Sequence, residues 1–179
     1  VWGSLGVSDN VSLELYYQYD WEETELEPLG SYFSTNDFAS PGGSRVQLGS
    51  GRVSDRGSFN FATLAFDPDF MTVNRGSTVR AEQGGEFGAA LRIFIPALNS
   101  TELGLYFINY HSRTPVISAT TGSAAGVGSG AAAAGATVGN AAILGLLGFP
   151  AAAIPTLAAS SAIDAYADTA NYFTEYRED

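Results

Sequence analysis

His111 is the sole histidine of the chain, and it is followed directly by Ser112. A base next to a hydroxyl is part of the nucleophilic triad, but here it is adjacency in sequence rather than a catalytic arrangement, and nucleophilic catalysis is not expected. There is no cysteine, which removes thiol nucleophiles, disulfide scaffolds and thiolate zinc sites together. Glu22, Glu23, Glu25 and Glu27 form an acidic run that could hold divalent cations bridging lipopolysaccharide, or be a solvated loop edge. Asp67 and Asp69, in Phe-Asp-Pro-Asp-Phe, fall short of the ligand count of a calcium loop and read as a turn. The glycine-rich stretches lack the lysine and the strand-to-helix context of a phosphate loop. No catalytic residue, metal or cofactor is expected. The remaining polar candidates are Glu14, Asp20 and Arg92, which alternate with apolar residues. They could line a polar lumen and bias what passes, or pair with one another across neighbouring strands.

The elements that would carry them are strands. In residues 11–21 the odd positions are Val11, Leu13, Leu15, Tyr17, Tyr19 and Trp21, and the even ones are Ser12, Glu14, Tyr16, Gln18 and Asp20. This alternation predicts one long strand of roughly 36 Å. Tilted, such a strand spans about 25 Å, the height of the apolar band of an outer-membrane barrel. A half-buried strand of a soluble sandwich is the other reading. Residues 86–95 and 102–110, joined by Pro96-Ala-Leu-Asn-Ser-Thr101, predict an antiparallel hairpin. Its first arm sets Phe87, Ala89, Leu91, Ile93 and Ile95 against Glu86, Gly88, Ala90, Arg92 and Phe94. An arginine midway along such a run is tolerable where its face meets water or a polar lumen. Aromatic residues gather at the C-terminal ends of the first and third strands. An up-down-up course would bring them to one rim, with Tyr17, Tyr19, Trp21, Phe107 and Tyr110 as membrane-interface residues. The long segments 22–85 and 112–179 would then both lie outside the cell.

Charge divides the chain further. The 19 acidic residues outnumber eight basic ones, all arginine, for a net charge of -11, which excludes a nucleic-acid partner. Only 15% of residues are charged, against about 25% in a typical soluble domain. Residues 114–163 carry no charge at all. The chain therefore reads as strands with a long loop (22–85) over 1–113, an Ala/Gly-rich, partly helical segment over 114–169, and an acidic, tyrosine-containing tail over 170–179. Within the uncharged block, small residues four apart allow close helix approach, and a helical hairpin of about 131–148 and 151–167 is expected; a flexible surface loop is the alternative. A membrane-crossing helix is not expected there, because Gly and Ala make it weakly apolar and Pro150 and Pro155 interrupt it. The opening Val1-Trp2, without an initiator Met, a basic segment or an apolar signal core, is expected to mark a processed product or an excised piece.

Residues 10–38, which open on Asn-Val-Ser-Leu-Glu-Leu-Tyr-Tyr-Gln-Tyr-Asp-Trp and close on Tyr-Phe-Ser-Thr-Asn-Asp-Phe38, resemble the family catalogued as domain of unknown function 1302. Residues 85–113 are similar to two further segments of it, and so is the closing Ala170-Asn-Tyr-Phe-Thr-Glu-Tyr-Arg-Glu-Asp179. The resemblance implies a Gram-negative outer-membrane barrel of several hundred residues, often encoded near export-type transporters and handling hydrophobic compounds. The family has no agreed catalytic residues to carry over. The Ala/Gly-rich block has no counterpart recognisable in it.

The expected fold is therefore mainly β: antiparallel strands of a transmembrane barrel, part of a larger one, with long outward loops. Three strands cannot close a barrel, since unpaired edges in lipid cost several kcal/mol per group. The expected partners are outer-membrane lipid, the rest of the barrel or other copies of the chain, and hydrophobic small molecules. The expected function is non-enzymatic passage or surface binding of hydrophobic compounds. The alternative is a secreted or surface structural subunit that self-assembles through strand edges and the Ala/Gly-rich block.

Overall fold

A computed structural model describes residues 1–34, 37–49, 53, 54 and 56–178. Their strands are β1 (Trp2–Ser8), β2 (Val11–Gln18), β3 (Arg45–Gln47), β4 (Ser58–Asn60), β5 (Ala65–Asp67), β6 (Thr72–Arg75), β7 (Glu86–Ile95), β8 (Thr101–Asn109), β9 (Val116–Thr120) and β10 (Asn171–Glu175). Their helices are α1 (Ala124–Gly139), α2 (Ala141–Leu146) and α3 (Ile154–Ala167). The chain is mainly antiparallel β sheet with a few helices. It divides into two units, one of Val1–Glu25, Val79–Val116 and Glu175–Asp179, the other of Leu26–Thr78 and Ile117–Thr174.

The first unit is built on a four-stranded antiparallel sheet of order β1-β2-β7-β8. Its registers run Val11↔Ile93, Leu13↔Leu91 and Leu15↔Ala89 between β2 and β7, then Leu91↔Leu105 and Ala89↔Phe107 between β7 and β8. The β7–β8 turn is a Pro96–Leu98 3-10 turn followed by Asn99 and Ser100 at φ of 56° and 59°. Proline pre-sets the first turn position, and Asn is among the residues that best tolerate the left-handed region. A fourth strand, β1, joins the three that alternation indicates. It is held by pairs such as Leu5↔Leu13 and Gly3↔Leu15 and carries a bulge between Gly6 and Ser8. Among the described residues the sheet is open, with β1 and β8 as its edges.

β2 is shorter than the eleven-residue alternation predicts, ending at Gln18, which pairs with Glu86. Gly84 and Gly85 just before Glu86 sit at φ of 80° and 83°, turning the neighbouring strand out of the ladder. Beyond that point Trp21 exchanges bonds with the Gln83 side chain: its N–H donates to Oε1 and its carbonyl accepts from Nε2. Trp21 is only 3% exposed and packs edge-on against Tyr176, beside Ala81.

In the second unit a sheet of order β3-β6-β10-β9 runs antiparallel between β3 and β6 and parallel between β6 and β10, and β4 and β5 form a small hairpin. The described residues of segment 22–85 thus carry four short strands. α1 begins at Ala124, earlier than the expected hairpin, capped by the Ser123 hydroxyl accepting from Gly126 N–H at 3.1 Å. Two glycines of α1 lie against the chain that returns past it: a Cβ at Gly130 would lie 2.8 Å from the Ala162 carbonyl oxygen of α3, and one at Gly126 would overlap Thr169, just beyond the end of α3. Below them the Thr137 hydroxyl donates to Ser161 Oγ at 2.9 Å. Pro155 falls in the first turn of α3, where a missing N–H costs nothing. No helix of the described residues is long and apolar enough to cross a membrane.

Candidate functional site on the sheet

The pleat sorts the β1-β2-β7-β8 sheet into two chemically different faces. One carries Leu5, Leu13, Leu15, Leu91, Ile93, Leu103, Leu105 and Phe107 in continuous rows. Several of these side chains stand open: Leu15 is 52%, Leu105 54% and Phe107 58% exposed. The other face sets Ser4, Ser12, Glu14, Arg92 and Glu102 among Trp2, Tyr16 and Tyr106. Large aliphatic rows open to the surrounding medium on one face, with charges only on the opposite face, invert the usual economy of a water-soluble sheet.

Glu14 and Arg92 come together on the polar face, with Arg92 Nη2 3.8 Å from Glu14 Oε2. Arg92 itself stands opposite Ser12, one row toward the β1–β2 turn, so the pair is diagonal rather than directly cross-strand. Asp20 does not join them. It lies beyond the end of β2, exposed, where its backbone carbonyl accepts from Gln18 Nε2.

The aromatic residues separate similarly. The C-terminal ends of β2 and β8 meet at one rim of the sheet, Tyr17 opposite Phe87 and Phe87 opposite Asn109. Tyr17 and Tyr19 pack edge-on at 4.9 Å, and Phe87 and Phe107 lie 5.8 Å apart on the apolar face. Phe87 was legible as a member of this face by its phase. Tyr110 is exposed at the end of β8, while Trp21 lies in the small core with Ala81 and Tyr176 rather than at the surface. On the polar face, Tyr16 and Tyr106 sit at alternate positions of their strands, whereas Trp2 lies in a glycine-containing segment with no clear periodic signal.

At the same rim, Glu86 and His111 are both buried. Glu86 Oε1 accepts from the His111 backbone N–H at 3.2 Å, and Arg113 Nη2 lies 3.8 Å from Oε2. His111 Nε2 is 3.1 Å from the Gly84 carbonyl, which makes it the donor nitrogen. Ser112 Oγ donates to the Thr114 carbonyl, so imidazole and hydroxyl form no base–nucleophile pair. In the acidic run, Glu23 takes a bidentate pair from Arg80, at 2.8 Å and 3.0 Å. Asp67 Oδ1 accepts from Asp69 N–H at 2.9 Å, the geometry of a turn, and Asp69 pairs with Arg45. No group of three or more His, Cys, Asp or Glu side chains among the described residues is placed to hold a metal ion.

In the second unit the Asp164 carboxylate is buried. Asp164 Oδ1 accepts from Met71 N–H at 2.6 Å and Oδ2 from Asn60 Nδ2 at 3.0 Å. Burial pushes its pKa above the ordinary carboxylate value, with Asp67 and Asp168 adding to the shift against the lowering effect of the hydrogen bonds. The arrangement ties α3 to β4 and to the segment between β5 and β6.

No curated protein and no solved structure matches the chain. A family model described as protein of unknown function (DUF1302) matches residues 1–179.

Proposed function

The chain belongs to the DUF1302 family, and on that premise we propose that it is part of an outer-membrane β-barrel that passes or binds hydrophobic compounds without catalysis. The observation that carries this reading is the division of the β1-β2-β7-β8 sheet into an open aliphatic face and a polar, aromatic one. In a barrel wall the first face meets lipid and the second the lumen. The ten residues of β7 and nine of β8 agree with the length such a wall needs. The aromatic rim of Tyr17, Tyr19, Phe87 and Phe107 suits the level of the lipid head groups, and the segments that leave it, 22–85 and 112–179, would face the cell exterior. Closure takes further strands along β1 and β8, from elsewhere in the polypeptide or from other copies, because an edge left open in hydrocarbon is costly.

Extraction tests the reading. The protein is expected to leave its membrane only with detergent and to migrate differently on gels before and after heating. Aqueous polymers formed without detergent would overturn it in favour of a self-assembling surface subunit joined through the same strand edges.

A further inference from the structure

The polar face carries a cleft of about 100 Å³ whose walls include Trp2, Tyr16, Tyr106, Ala90 and Glu14. The register explains the grouping. Trp2 stands opposite Tyr16, and Glu14, Ala90 and Tyr106 form one row across three strands. Glycines leave room for these rings: Tyr16 occupies the space above Gly88, its cross-strand partner, where a Cβ would overlap it, and Tyr106 leans along its own strand over Gly104. Arg92 approaches Glu14 from the row nearer the turn, away from Tyr16, and at 3.8 Å it stays beyond hydrogen-bond reach. Among the described residues Glu14 accepts no hydrogen bond, so its carboxylate retains acceptor capacity at the aromatic wall.

Three aromatic side chains and Ile108 around a single carboxylate, in a space equal to about three waters, suit one ligand class. We infer that this cleft binds the head group of a small organic cation, a quaternary or tertiary ammonium, by cation–π contact with Trp2, Tyr16 and Tyr106 and charge pairing with Glu14. A drug-sized hydrophobic molecule needs about 300 Å³ or more, so only such a head group would be held here while any apolar remainder extends along the face. A charge preference of the polar face goes beyond the proposed passage of hydrophobic compounds. It relies on that face being open, not on closure of a barrel.

Calorimetric titration of the full-length protein in maltoside micelles with choline tests it, with uncharged dimethylbutanol as the carbon isostere. Choline is expected to bind saturably and the isostere at least about tenfold more weakly. Glu14→Gln and Tyr106→Leu should each weaken choline roughly threefold to thirtyfold, while Leu13→Ala on the opposite face leaves it unchanged. Phosphocholine binding as well as choline would point to a lipid head group as the source, and choline alone to a free ammonium compound. Equal binding of the isostere, an affinity indifferent to Glu14 and Tyr106, or no binding of choline would overturn the inference. Heat-modifiable migration of the same preparation reports separately on the barrel.

Discussion

The ring of Tyr16 fills the space above Gly88, its cross-strand partner on β7. Glycine in a strand interior ordinarily weakens it, and an aromatic neighbour lying over the bare backbone restores the lost contact. Gly88→Val should therefore displace Tyr16 and cost about 1–3 kcal/mol. Denaturant titration of the purified protein checks this, and an unchanged midpoint would mean that the ring can move aside freely.

Leu15 and Glu14 are neighbours in sequence on opposite faces of the sheet. If the Leu15 face meets lipid, Leu15→Arg should cost about 2–4 kcal/mol near mid-membrane. Glu14→Arg should cost under about 1 kcal/mol, since it loses one half-exposed pair with Arg92 in a wet lumen. The assembled, heat-modifiable fraction of each variant is the measurement. Equal tolerance of the two changes would contradict the assignment of faces.

The contact between α1 and α3 depends on the absence of a side chain at Gly130. Gly130→Val would place its Cβ against the Ala162 carbonyl, 2.8 Å from the oxygen, and carry further methyls into the interface. A loss of about 2 kcal/mol or more is expected, at the upper end of overpacking costs because backbone cannot rotate away. Gly128 and Gly135 have open space where a Cβ would stand, so alanine there should be neutral or mildly stabilising. Thermal unfolding of the three variants distinguishes close packing from mere glycine content.

The buried Asp164 gives the second unit a pH dependence of definite sign. Its folded pKa is raised above the ordinary 3.8, so between these values the folded state holds more protons than the unfolded one. Stability from this group therefore falls as pH rises through the window and is recovered on acidification. Asp168, raised chiefly by burial, acts in the same direction. Asp164→Asn keeps an acceptor for Met71 and should flatten the slope, whereas Asp164→Ala orphans that N–H and costs about 1–3 kcal/mol. Unfolding measured across the mildly acidic range decides it; an unchanged slope in the Asn variant would assign the dependence elsewhere.

The sequence was most readable where period and face coincide. β7 and β8 follow from their alternation and from the polar turn between them, and β2 follows as far as Gln18. It was less readable where a neighbour decides the outcome. Tyr19 and Trp21 continue the alternation perfectly, yet Gly84 and Gly85 end the pairing partner and Gln83 takes over the Trp21 backbone. β1 was hidden because Gly3 and Gly6 dilute its pattern, and its strand state rests on the ladder that β2 offers. The helix start at Ala124 was hidden for a related reason: Gly126 and Gly130 look like breakers until Thr169 and α3 lie against them.

What the amino-acid order determined by itself was a two-sided sheet, because the pleat sends alternate side chains to opposite faces whatever the partner strands are. It also determined a region without charge that had to satisfy itself through small residues. Tertiary structure alone decided which polar residues meet: Glu14 with Arg92 and not with Asp20, Glu86 with His111, Asn60 with Asp164. Those pairings depend on register and on chain crossings over many residues, and a register is a property of two strands, written in neither one.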